Sequence, residues 1–125
     1  MEKLSIKPSQ YTPEIVMDPD SGVIEIRGKS YPENTFEFYK PVLEWLGEYF
    51  QQPKETTTFH IEIIYFNSSS SKLFFDLFDL LEEHKEDTNI EIFWIYDAEN
   101  ENAYEAGEEF QEDFETLHIK LQVKE

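Results

Sequence analysis

The sequence predicts an α/β fold, a mixed β-sheet with helices packed on it, in the order β-β-α-β-α-β-α-β. Three observations carry that expectation. The chain opens with two alternating stretches around a turn-forming cluster, and two later runs are dense in β-branched and aromatic residues. Between these strands lie three stretches with apolar residues at helical spacing, the first two behind capping side chains. At 125 residues the chain has room for one core, so a single domain is expected over residues 1–125.

Residues 9–17 alternate loosely and residues 23–28 clearly, with Asp18-Pro19-Asp20-Ser21-Gly22 between them, which reads as a hairpin with a five-residue turn. Asn34 and Glu37 then form a capping-box-like start to a helix reaching about residue 51, its inner face carrying Tyr39, Val42, Leu43, Leu46 and Phe50. Pro41 interrupts that helix. It predicts either a kink or a start near Lys40, because proline removes a backbone donor and clashes with the preceding turn. Thr56–Phe66 reads as a strand, buried along its second half. Asn67-Ser68-Ser69-Ser70-Ser71 ends it, and residues 72–84 form an amphipathic helix with Asn67 or a serine as N-cap. Leu73, Phe74, Leu77, Phe78, Leu80 and Leu81 lie on one side of that helix and Asp76, Asp79 and Glu83 on the other. Asn89–Tyr96 is a further strand, residues 102–114 a third helix and residues 118–123 a final strand. Strands separated by helices run parallel and the opening hairpin antiparallel. The loop Asp97-Ala98-Glu99-Asn100-Glu101-Asn102 then shares a sheet edge with Asn67 and Ser68, the edge where open α/β sheets place their working surfaces.

Composition narrows the function. Twenty-eight acidic residues against ten basic ones give a formal net charge of −18, which repels phosphate backbones and anionic lipid and makes nucleic acid or a membrane surface an unsuitable partner. With Arg27 as the sole arginine, the forks that hold phosphorylated substrates are missing. The expected partners are proteins with basic or aromatic faces; a salt-adapted host would give the same acidity with no partner at all. The absence of cysteine excludes disulfides and thiolate metal sites. Residues 1–8 do not read as a signal peptide and no apolar stretch is long enough to span a bilayer, so a cytoplasmic location is expected.

The serine run gathers hydroxyls where strand hands over to helix. A phosphate there would meet the positive end of the helix dipole, the geometry of a switch; the plainer reading is that the serines only cap a helix and fill a turn. Asp76, Asp79 and Glu83 could hold a hard cation, although a solvated charged face explains them too. The three histidines read as structural or surface residues, and no nucleophile, phosphate-loop or zinc motif appears. Phe75 falls outside the apolar stripe, beside Glu82, and is either an exposed aromatic anchor for a partner or a rim residue covered by a loop.

Four segments in order resemble a known family: Ser30-Tyr31-Pro32-Glu33-Asn34, Tyr65-Phe66-Asn67-Ser68-Ser69-Ser70, Phe78-Asp79-Leu80-Leu81-Glu82-Glu83 and Trp94-Ile95-Tyr96-Asp97. From about residue 12 to residue 114 the chain resembles the SiaC family of bacterial regulatory phosphoproteins, small STAS-like domains related to anti-sigma-factor antagonists. The resemblance implies a non-enzymatic partner-switching adaptor that needs no cofactor or metal. On that resemblance, a cognate Ser/Thr kinase of the anti-sigma type is expected to phosphorylate the residue after the strand-ending Asn, here Ser68 with Ser69 the next candidate, and a metal-dependent Ser/Thr phosphatase to reverse this. The unphosphorylated form is expected to bind an effector such as a diguanylate cyclase and so raise cyclic di-GMP. The expected partner-binding residues are Asn67, Ser69, Ser70, Lys72, Phe75, Asp76 and Asp97. The rivals are a small carboxylate or metal-dependent enzyme using Asp76, Asp79, Glu83 or the 97–101 loop, and a constitutive structural subunit.

Overall fold

A computed structural model describes residues 1–124. The chain forms β1 (Leu4–Ile6), β2 (Glu14–Asp18), β3 (Val23–Ser30), α1 (Thr35–Tyr49), β4 (Thr56–Phe66), α2 (Ser68–Glu83), β5 (Asn89–Tyr96), α3 (Glu101–Asp113), a 3₁₀ turn (Glu115–Leu117) and β6 (Lys120–Val123). One six-stranded sheet holds the strands in chain order, β1-β2-β3-β4-β5-β6; β1, β2 and β3 pair antiparallel and β3 to β6 parallel. The mixed α/β sheet is therefore as expected, with one added strand. β1 pairs through three residues, Leu4 to Met17, Ser5 to Val16 and Ile6 to Ile15, too short to register as a period in the sequence.

The alternation of each strand decides which face is covered. Ile24 and Ile26 of β3, Phe59, Ile61 and Ile63 of β4, and Ile92 and Trp94 of β5 are buried in one core with Leu46, Phe74, Phe78 and Phe110 from the three helices. Because each parallel crossover joins neighbouring strands with the same hand, α1, α2 and α3 share that face. The opposite face carries Arg27, His60, Glu62 and Phe93, where Glu62 accepts from Arg27 Nη1 at 2.9 Å and from Lys124 Nζ at 2.7 Å, and His60 stacks on Phe93 at 5.4 Å. Trp94 anchors the core, its Nε1–H donating to the Ala103 carbonyl at 2.9 Å. α3 approaches closely because position 107 is glycine: a Cβ there would stand 2.5 Å from Leu121 and 2.6 Å from Trp94.

α1 starts at Thr35, with the Asn34 Oδ1 accepting from Glu37 N at 3.1 Å, and continues through Pro41, so it does not begin near Lys40. Pro41 is exposed and leaves the Glu37 carbonyl without its usual donor. α2 begins at Ser68, one turn earlier than the sequence predicts. The serines are thus the first helical turn.

Candidate functional site

At the end of β4, Phe66 turns into the core against Phe74 and Trp94, at centroid distances of 6.0 and 6.3 Å. The chain then bends at Asn67. Its backbone N–H continues the β3–β4 pairing by donating to the Ser30 carbonyl at 3.1 Å, and its Oδ1 accepts from Ser70 N at 2.9 Å. This N-cap starts the helix while the Asn67 carbonyl accepts from Ser71 N at 3.0 Å. Ser68 and Ser69 occupy the first and second helical positions, and both are exposed. Their backbone N–H groups belong to the turn that has no helical acceptor, so each hydroxyl stands at the positive end of the α2 dipole.

Ser70 behaves differently. The inward stripe of α2 is Ser70, Leu73, Phe74, Leu77, Phe78 and Leu81, all buried. Ser70 Oγ is fully buried and lies 2.8 Å from Ser30 Oγ, which is 2.6 Å from the Tyr39 hydroxyl. This three-hydroxyl chain joins α2, β3 and α1. Burial pushes the Tyr39 phenol up to about 12, with the Ser30 bond opposing it. Ser70 is thereby withdrawn from the partner-binding set the sequence suggested; it is a structural tie whose hydroxyl has no access to solvent.

Between the N-terminal turns of α1 and α2 runs an open groove of about 370 Å³, lined by Glu33, Asn34, Thr35 and Phe36 on one side and Ser69, Lys72, Leu73 and Asp76 on the other. Lys72 Nζ meets Asp76 Oδ2 at 3.4 Å, an exposed pair one turn apart, worth at most a few tenths of a kcal/mol. Ser69, Lys72 and Asp76 are thus brought together beside Asn67 and Ser68. Asp97 is not. It sits in the β5–α3 loop, accepts from Glu99 N at 2.9 Å, and lines a separate hollow with Ile64, Tyr96, Glu99, Asn100 and Lys124. Phe75 is also corrected as an exposed anchor: it is half-buried, its ring 5.1 Å from Phe110 and 5.8 Å from Phe114, covered by α3. Among the described residues no group of acidic, histidine or cysteine side chains is drawn into a metal-binding cluster, so Asp76, Asp79 and Glu83 remain separate exposed carboxylates. No helix of the described residues is long and apolar enough to cross a membrane.

The site has neighbours the sequence pattern did not single out. Tyr11, Tyr31 and Tyr65 form an edge-to-face row with centroids 5.2 and 5.3 Å apart. The cause is an irregularity in register: Gly28 pairs with Ile63 but Lys29 pairs with Tyr65, so Ile64 is extruded, Tyr65 turns outward and Phe66 inward. Gly28, at φ 129, was the available signal, since a glycine within a strand marks a bulge.

The sequence pattern of the SiaC family, described as regulatory phosphoproteins, matches residues 6–124. The chain belongs to the SiaC family. An uncharacterized protein of Pseudomonas aeruginosa strain UCBPP-PA14 is 36% identical over 114 residues, 90% of each chain. Among solved structures, apo-SiaC of Pseudomonas aeruginosa superposes with a TM-score of 0.85 at 32% identity, covering 100% of both chains. SiaC of that organism in complex with the diguanylate cyclase SiaD, of which it is the activator, matches with a TM-score of 0.89 at 34% identity, covering 97% of this chain and 99% of that one. SiaC-family membership makes the chain a regulatory protein rather than a catalyst.

Proposed function

We propose that this SiaC-family chain is a single-domain, cytoplasmic adaptor switched by reversible phosphorylation of Ser68, with Ser69 the second candidate, and that its effector is a diguanylate cyclase. One observation carries the reading: Ser68 is the exposed first residue of α2 behind the Asn67 cap, whereas Ser70 of the same run is buried and bonded. A phosphate on Ser68 brings about two negative charges to the positive end of a helix, where an exposed anion is favoured by roughly 0.3–1 kcal/mol. The fold tolerates it. A partner packed over the groove beside Ser69, Lys72 and Asp76 does not, because it must desolvate a dianion; each 1.4 kcal/mol of that penalty lowers its affinity about tenfold. A kinase of the anti-sigma type and a metal-dependent Ser/Thr phosphatase set the two states, Asn67 presents the acceptor, and Asp97 meets the partner from outside the groove.

Phosphopeptide mapping of residues 66–72 on protein isolated from its native cells with phosphatase inhibitors tests the assignment. Phosphate is expected on Ser68, lost in Ser68→Ala with an unchanged melting temperature. Labelling that persists in that variant moves the acceptor, and serines unmodified across growth conditions remove the switch.

A further inference from the structure

Seven large apolar side chains are exposed among the described residues: Met1, Tyr11, Phe36, Ile64, Tyr65, Tyr104 and Val123. Their placement is uneven. Ile64 and Tyr65 end β4 and Val123 ends β6; Phe36 and Tyr104 lie in the first turns of α1 and α3, which follow β3 and β5; and Tyr11 is tied to the end of β3 by the Tyr31 N–H at 2.8 Å. Six of the seven therefore stand along the edge of the sheet at which the parallel strands end, the edge that carries Ser68. Met1 alone lies at the opposite edge, in a hollow with Asp20 and Lys54.

We infer that the row Tyr11, Tyr31 and Tyr65, with the extruded Ile64, anchors the effector, and that the effector segment covering it carries aliphatic or aromatic side chains between lysines or arginines. This rests on the adaptor reading above and names the surface it uses. The row is already ordered: its rings hold one another edge to face, so a partner meets aromatic area whose conformational freedom is already spent, and tyrosines of this kind dominate interface energetics. The charges specify the partner. Asp97 and Glu99 border Ile64 and Glu33 borders Phe36, none of them in an ion pair among the described residues; on the cationic side Lys124 is held by Glu62, Lys72 only loosely by Asp76, and Lys29, in register with Tyr65, is exposed. A second copy, itself at −18, is repelled from such an edge. Ser68 follows Tyr65 by three residues, so a phosphate there stands at the border of the apolar row and is desolvated by whatever covers it.

Photo-cross-linking in native cells tests the surface, with p-benzoylphenylalanine in place of Tyr65 or Phe36 in the full chain, and in place of Gln52 or Glu105, exposed residues beyond the end of α1 and on the outer side of α3, as controls. A diguanylate cyclase identified by mass spectrometry from positions 65 and 36, and not from 52 or 105, is the expected result, and Tyr65→Ala then weakens binding of the purified cyclase about tenfold or more with an unchanged melting temperature. Cyclase cross-linked equally from the controls, adducts only with a second copy, or none from position 65 overturns the inference. Cyclase captured from position 65 while Ser68 is never phosphorylated upholds the surface and removes the switch. Capture of an identified protein with a basic-flanked apolar segment, but no cyclase, upholds the surface and removes the cyclase as effector.

Discussion

The buried hydroxyl chain makes a graded prediction because its middle member differs from its ends. Ser30 Oγ is the partner of both Tyr39 and Ser70, at 2.6 and 2.8 Å. Replacing an end, in Ser70→Ala or Tyr39→Phe, leaves the other two hydroxyls paired and removes one bond, a loss of about 1 kcal/mol. Ser30→Ala instead orphans two buried hydroxyls, each costing about 1–3 kcal/mol, or roughly 2–6 in total. The middle substitution should thus exceed either end by at least about 1–2 kcal/mol, on the order of 4–8 °C in melting temperature. Ser30→Ala combined with Tyr39→Phe deletes one orphan along with its partner, so the double variant should be no less stable than the sum of the single effects, and measurably more stable than that sum. Urea unfolding followed by tryptophan fluorescence reads all four proteins, since Trp45 and Trp94 are both buried. A Ser30→Ala loss equal to that of Ser70→Ala, or strict additivity in the double variant, refutes the reasoning.

Two further predictions are simpler. The Tyr39 phenol is raised to about 12 from an ordinary 10. Its raised value means the folded state holds the proton more tightly, so its contribution is intact below pH 10 and is lost as pH climbs towards 12. The total is on the order of 3 kcal/mol, and the difference between wild type and Tyr39→Phe in unfolding curves from pH 8 to 12 isolates it. Pro41→Ala restores the missing donor to the Glu37 carbonyl in the exposed interior of α1 and should stabilise the protein by about 1–3 kcal/mol, seen as a higher midpoint in thermal unfolding.

The strands that alternate over long spans were legible in the sequence, and so was the apolar stripe of α2. Thr56–Phe66 and Asn89–Tyr96 end where the residue pattern places them. Which serine faces inward was also encoded, by counting three and four residues back from Leu73 and Phe74 to Ser70, but that step requires the helix to begin at Ser68 rather than Lys72. Phe75 could not be settled locally: its cover comes from Phe110 and Phe114, thirty-five or more residues later. The outward turn of Tyr65 depends on a register shift between two strands, a pairing property that neither strand carries alone. β1 owes its existence to β2 rather than to any strength of its own pattern.

The identity of strand order and chain order has a consequence for how the protein is made. Each strand leaving the ribosome finds its only earlier neighbour already formed, so the sheet can grow by accretion from the opening hairpin, with each helix docking as its two strands become available. Nothing waits for a distant segment to return. β6 seats after the strands it joins, and its following residue, Lys124, bonds Tyr96 through its backbone at 2.7 Å and reaches Glu62 with its side chain. β6 is therefore fastened across strands laid down much earlier, and a chain lacking residues 120–123 would leave β5 as the exposed edge of the sheet.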